Sequence, residues 1–266
     1  MTIRAIPLAL LLAGCAPVAE RQPSADRPTI VSLNPCSDAI LAEVADPAQL
    51  LAISHYSHDP RATSMPLAQA RRFRATGGTV EEVLGLAPDL VVADPFMAPA
   101  TRAAFDRLGI RVELIGIGSS VAESEGQVRQ LAALAGHPAR GEALVGEIEG
   151  ALEQSRRAGR IPALLWQQGG LVPGEGTLAA ELLAHTGFAS HSAARGLGQG
   201  AYLPLEEVLA DPPHVILAAG SERAQAHPAL RALGAPVARI DPSLLYCGGS
   251  TIPRLARRLA EVRDSL

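Results

Sequence analysis

The segment Val80-Glu81-Glu82-Val83-Leu84, followed by Pro88 and the apolar run Leu90-Val91-Val92-Ala93, returns in the second half of the chain as Leu205-Glu206-Glu207-Val208-Leu209, Pro213 and Val215-Ile216-Leu217-Ala218. The offset is constant: Leu108-Gly109 falls on Leu233-Gly234, and Val112 and Ile115 fall on Val237 and Ile240, without a gap. Chance supplies a single match of this kind, but a register held from Val80 to Ile115 indicates a shared architecture. Each copy reads as a short acidic helix, a proline turn, a buried strand, a helix, a glycine turn and a second strand. The strand runs are short, branched and apolar on both faces, the pattern of parallel strands covered by helices. Helices predicted over Thr101–Leu108 and Ala226–Leu233 supply the right-handed crossovers that such strands need.

Working outward, strands are predicted at Thr29–Leu33, ending in Asn34-Pro35 before a helix over Ser37–Val44, and at Leu50–Ser54, ending at His55-Tyr56. Another is predicted at Ala163–Gln167, with a helix over Thr177–Leu183. Between the halves, Ser120–Gly159 is helical in composition and broken at Gly136-His137-Pro138, since proline cannot continue a helix without losing a bond. Ala139–Ala158 then makes about 20 residues, or roughly 30 Å, of helix, with Leu144, Ile148 and Leu152 on an apolar face. The expected fold is α/β: two Rossmann-like parallel-sheet lobes, residues 29–138 and 159–266, joined by one long helix over 139–158 that acts as a strut and limits opening.

Composition bounds the rest. A chain of 266 residues, 48% hydrophobic and 19% charged, can build real cores and is not disordered. Its 23 basic residues, all arginine, stand against 27 acidic ones with no long basic run, which argues against a nucleic-acid partner. At the N-terminus, Arg4 precedes an apolar run, Ala5–Ala13, too short to span a bilayer, which closes on Leu12-Ala13-Gly14-Cys15. That ending resembles the bacterial lipoprotein processing box. Residues 1–14 are expected to be a signal peptide, Cys15 the acylated residue, and residues 15–28 a proline-rich tether. Several acyl chains on one residue hold a domain at a membrane where one chain holds it only reversibly. In an oxidising compartment Cys36 and Cys247 can bridge, or they can remain as two buried thiols; both readings stay open.

In parallel α/β sheets, ligands gather at the carboxyl ends of strands. That rule selects Asn34–Asp38, His55–Asp59, Asp94–Met97, Trp166–Gly170 and Asp241–Gly249. Aromatic residues make up only 3% of the chain, yet Tyr56, Trp166 and Tyr246 fall in these groups, so a planar or bulky ligand is expected. Tyr202 lies just before the second acidic helix. His55 and His58 beside Asp59 are metal-ligand types, but no third histidine joins them locally. The expectation for them is rim hydrogen bonding or contact with a chelated metal, with no resident metal or cofactor. Neither a Gly-x-Ser-x-Gly elbow nor a Gly-x-x-x-x-Gly-Lys loop occurs, the latter being impossible without lysine. Gly116-Ile117-Gly118 lacks the third glycine of a nucleotide loop and is set aside. Gly169-Gly170 with Gly174-x-Gly176 reads equally as an anion-binding or a flexible turn, and Cys36 has no assignable histidine partner. Catalysis is not expected.

The segment Val31-Ser32-Leu33-Asn34-Pro35-Cys36-Ser37-Asp38, the block Gly78-Thr79-Val80-Glu81-Glu82-Val83-Leu84-Gly85-Leu86-Ala87-Pro88-Asp89-Leu90-Val91-Val92 and the later Leu205–Leu209 resemble periplasmic substrate-binding proteins of ABC importers for iron–siderophores, heme and vitamin B12. The similarity covers nearly all of residues 29–262. It implies a corrinoid or iron-chelate-like ligand held in a shallow interlobe cleft and delivered, without chemistry, to permease and ATPase subunits by a periplasmic protein anchored only by lipid. It places the pocket on Asn34, Pro35, Tyr56, Trp166 and Tyr246, with His55, His58 and Tyr202 at the rim. It implies permease docking through Glu81 and Glu206, one per lobe, and favours a Cys36–Cys247 bridge that pins the lobes together. The chain departs from the family in carrying Gly248-Gly249-Ser250 where many relatives have a Gly-Pro-Arg-like turn. Loss of that arginine weakens the case for a strongly anionic catecholate and points to a less charged planar complex such as a corrinoid. The opposing classes are a lipid-anchored enzyme on the same scaffold and a cargo-free structural or assembly lipoprotein.

Overall fold

In the computed structural model, which describes residues 27–266, the N-terminal lobe runs β1 (Ile30–Ser32), α1 (Pro35–Val44), β2 (Leu50–Ser54), α2 (Leu67–Ala70), β3 (Ala75–Thr76), α3 (Val80–Leu86), β4 (Leu90–Ala93), α4 (Pro99–Arg107) and β5 (Val112–Leu114). The expected signal peptide, Cys15 and most of the tether lie outside the described residues. The sheet order is β3-β2-β1-β4-β5, and every pair is parallel. The central strands β1 and β4 are buried along their whole length, with Ile30 opposite Leu90 and Val31 opposite Val91. Burial on both faces is why these runs show no polar alternation. Helix starts are set by polar caps: Asn34 Oδ1 accepts from the Cys36 N–H at 2.8 Å for α1, and Thr79 Oγ1 from the Glu82 N–H at 3.3 Å for α3. Helix α3 ends at Ala87 in the left-handed region, φ 47°, and Pro88 cannot carry it further.

Helices α5 (Val121–Leu134) and α6 (Pro138–Ser155) lead into the C-terminal lobe. That lobe comprises β6 (Ile161–Gln167), β7 (Leu171–Val172), α7 (Leu178–His185), β8 (Phe188–Ser190), α8 (His191–Ala194), β9 (Ala201–Tyr202), α9 (Leu205–Ala210), β10 (Val215–Ala219), α10 (Pro228–Ala232), β11 (Val237–Ile240) and α11 (Thr251–Asp264). The main sheet, β11-β10-β6-β8, is again parallel, and β7 and β9 form a small antiparallel pair. The repeat read from the sequence is structural: α3, β4 and β5 correspond to α9, β10 and β11 at the same offset. One copy diverges. Where α4 is continuous, its counterpart is a 3₁₀ turn, Ala224–Ala226, followed by the short α10. Pro228 accounts for this, because a proline fits the first position of a helix but not its interior.

The expected strut is one of three helices rather than a lone one. Helix α6, 18 residues and about 27 Å long, turns out of α5 through Gly136 at φ 76°. It packs between α5 and α11. Gly141 permits the close α5–α6 contact, since a methyl group there would come within 2.6 Å of the Ala132 methyl. At the same corner His137 Nε2 donates to Gln49 Oε1 at 2.7 Å, and Gln49 Nε2 donates to the Ala135 carbonyl at 2.9 Å. A single apolar cluster runs from Leu41 and Val44 in α1, through Val128, Leu131, Leu144 and Ile148, to Leu255 and Leu259 in α11 and on to Leu165 and Leu182 in the second lobe. Each such side chain contributes about 1.5–3 kcal/mol when fully buried. Prising the lobes apart would expose several at once, so the interlobe angle is held by the core itself.

Cys36 in α1 and Cys247 just before α11 form a disulfide, with Cα atoms 5.3 Å apart, that ties the first lobe to the last loop of the second. The residues after it press on the first lobe. A methyl group on Gly248 would overlap the Ser124 hydroxyl, and Gly249, at φ 64°, donates its N–H to that same oxygen at 2.7 Å. Glycine at 248 and 249 thus has a packing reason. The bridge closes a sequence separation of 211 residues, for which chain entropy alone contributes about 5 kcal/mol. A Cys36→Ala/Cys247→Ala variant is expected to unfold at markedly lower urea concentration while keeping a native circular-dichroism spectrum. An unchanged urea midpoint would refute that contribution.

Candidate functional site

A cavity of about 370 Å³ lies between the lobes, at the carboxyl ends of the strands. The first lobe contributes Asn34, after β1, and the loop Gly116–Ser119, after β5; α5 adds Gln127. Across the gap lie Gln167 at the end of β6, the start of α7 at Thr177–Ala179, Gln199 and the segment Leu244–Gly248. Both bridged cysteines form part of the wall. The lining contains no aspartate, glutamate, arginine or histidine, and its polar groups are hydroxyls and carboxamides. Tyr246, about one-third exposed, is its aromatic member, and burial is the main cause that holds its phenol above the ordinary tyrosine range.

Of the residues expected at the pocket, Asn34 and Tyr246 share this cavity. Pro35 opens α1 beside it without lining it. Tyr56 stands 53% exposed on the 3₁₀ turn His55–His58 that follows β2, its ring tilted by 35° against that of His55 with the centroids 4.1 Å apart. His55 and His58 each spend a ring nitrogen on the backbone, at the Thr76 and Ala70 carbonyls. Tyr202 is exposed on β9.

Trp166 requires correction. It is 1% exposed, its indole N–H donates to the Leu203 carbonyl at 2.9 Å, and it packs with Leu164, Val208 and Ile216 beneath α9. The reason is strand alternation: Leu165 joins the interlobe core, Trp166 faces the opposite layer, and Gln167 reaches the cleft. The segment selected by the strand-end rule therefore lines the cavity through Gln167, while Trp166 is buried in the core. Gly116-Ile117-Gly118, set aside as a failed nucleotide loop, also lines the cavity, whereas Gln199 carries no sequence signal at all.

The turn bearing Tyr56 is held from below by Asp38. This carboxyl is completely buried; its Oδ2 accepts from the Ser57 hydroxyl at 2.6 Å and the Ser54 N–H at 3.0 Å, and Oδ1 has no partner. Burial raises its pKa to about 8, against the smaller lowering effect of the nearby Ser32 hydroxyl and of the hydrogen bonds from Ser57 and Ser54. At neutral pH it is a neutral acid in the fold and a carboxylate in the unfolded chain. The contribution of Asp38 to stability therefore falls as pH rises between about 4 and about 8, by about 1.4 kcal/mol per pH unit over that window. Asp38→Asn is expected to flatten this part of the stability–pH curve in chemical denaturation. Parallel curves for the two proteins would show that Asp38 is ionised in the fold.

On the outer faces, α3 and α9 each present two glutamates. Glu82 is engaged by the Thr76 hydroxyl and the Gly77 N–H, both at 2.7 Å, which hold its carboxyl below the usual range, and Glu207 pairs with Arg195 at 2.9 Å. Glu81 and Glu206 are exposed and, among the described residues, free of ion pairs.

No curated protein sequence matches this chain. Among solved structures, it is similar to a periplasmic heme-binding protein from Roseiflexus sp. RS-1, with a TM-score of 0.68 and 19% identity over 90% of this chain and 97% of that one. It is similar to a periplasmic heme-binding protein of Vibrio cholerae, with a TM-score of 0.69 and 18% identity over 88% and 97%. A periplasmic vitamin B12-binding protein of the same organism gives a TM-score of 0.65 and 18% identity over 90% and 99%. At these identities the likeness establishes the fold. The family model for the periplasmic binding protein matches residues 30–232, and with it the two parallel sheets and the cleft between them make this chain a member of the periplasmic binding protein family.

Proposed function

We propose that the protein is a lipid-anchored receptor, held to its membrane through Cys15, that captures a corrinoid-like or related iron-chelate ligand in the interlobe cleft and delivers it to a permease and its ATPase. The observation that carries the ligand reading is the cleft itself. Both lobes line it, Tyr246 offers an aromatic face, and no ionised side chain stands in its wall. A ligand that is planar and weakly charged at its edge suits such a lining, and a multiply anionic catecholate does not. Receptors for vitamin B12 and for heme are among the structural relatives, and both ligands carry a planar metal-chelating ring. Titration calorimetry with dicyanocobinamide, cobalamin, heme and a ferric siderophore tests this. A corrinoid is expected to bind with 1:1 stoichiometry, and absence of binding by all four would remove the receptor reading.

Docking is assigned to Glu81 and Glu206. Their neighbours Glu82 and Glu207 are already engaged within their own lobes, which leaves one unpaired carboxylate per lobe at equivalent places in the repeat. Two such charges on lobes at a fixed angle set register and orientation for a cationic partner. The double variant Glu81→Arg/Glu206→Arg is expected to abolish cellular uptake while ligand affinity in calorimetry stays within about two-fold. Wild-type uptake by the double variant would overturn the assignment.

A further inference from the structure

We infer that Asn34 is a specificity residue of the cleft, and that with Gln167 and Gln199 it selects a ligand edged by amide or carbonyl oxygens over one edged by carboxylates. This rests on the cleft being the ligand site. Asn34 has two jobs that cannot be exchanged. Its Oδ1 caps α1, accepting from the Cys36 N–H at 2.8 Å and the Ser37 N–H at 3.4 Å. The cap dictates which end of the carboxamide is left over: the oxygen must face the helix, so the NH₂ is the part without a protein partner among the described residues. Gln127 is also oriented by the fold, its Nε2 donating to the Gly116 carbonyl at 2.7 Å, which leaves an acceptor. Gln167 and Gln199 make no side-chain hydrogen bond within the described residues and can adapt to either role.

The chemistry of this set is that of neutral donors without a cation. A ligand amide oxygen finds its hydrogen bonds here and loses little on leaving water. A carboxylate brought to the same place gives up far stronger hydration, and no arginine or histidine in the wall compensates for it. Sites built on hydrogen bonds to one functional group reject its close analogue strongly, because the unmatched groups remain buried.

Two corrins that share a ring and differ at its edge make the test: dicyanocobinamide, which carries carboxamides, and dicyano-cobyrinic acid, which carries carboxylates at the same positions. Calorimetry is expected to show cobinamide bound on the order of 100-fold more tightly. Asn34→Asp preserves the cap, since aspartate and asparagine cap equally well, and removes the donor pair. It is expected to weaken cobinamide about tenfold with no fall in the thermal midpoint. Asn34→Ser, which also caps, is expected to narrow the cobinamide-to-cobyrinic-acid ratio and serves as the second variant should the first fail to fold. Equal affinity for the two corrins, or an unchanged ratio in both variants, would overturn the inference. Binding of heme or a ferric siderophore with neither corrin bound would also overturn it while leaving the receptor reading intact. Binding of no probe would remove that reading and this inference with it.

Discussion

The shared apolar core is the constraint on which the rest of the molecule depends. Residues of α1, α5, α6 and α11 and of the second sheet belong to one buried cluster, so the two lobes are not separate cores connected by a hinge. The disulfide and the Gly248-Gly249 wedge then fix the same boundary at the point where it meets the cleft. A gap between such lobes is preformed. A ligand entering it spends little on ordering the protein, and the surfaces carried by the two lobes keep a constant separation. The docking proposed for α3 and α9 makes use of that constancy.

Charge is distributed to match. All the basic residues are arginine, and several are consumed in outer pairs such as Arg157 with Asp264 and Arg195 with Glu207 and Asp211. Ionised side chains are kept out of the cleft wall, and the one acid lying deep beneath its rim, Asp38, is held neutral by burial. Under the proposed function, recognition in the cleft falls to shape, aromatic surface and carboxamide hydrogen bonds, which discriminate among ligands by what is left unsatisfied as much as by what is made.

The duplication explains the skeleton and not the site. Strands β2 and β8 lie beside β1 and β6 at equivalent places, although only β8 is an edge, and the segments at their carboxyl ends differ. After β2 comes the turn bearing Tyr56, suspended from Asp38; after β8 comes α8, where Ser192 donates to the Pro173 carbonyl at 2.7 Å. Parallel sheets tolerate such divergence because loops at the strand tips contribute little to the core.

Sequence alone determined the architecture. Apolar runs without alternation, proline and glycine punctuation and a repeat in constant register placed β4, β10 and β2 with their bounds nearly intact, because these patterns follow from local backbone chemistry and two-sided burial. It also reached Asn34, Tyr246 and the alternatives open to Cys36 and Cys247. It did not reach the inward choice on β6: Trp166 and Gln167 sit side by side in sequence, and only the packing of α9 against the second sheet decided that the indole is buried and the carboxamide faces the cleft. The three-helix junction, the neutral state of Asp38 and the arrival of Gln199 were likewise decided by the tertiary structure. Each depends on a contact between segments far apart in the chain, and no local pattern records the distance between them.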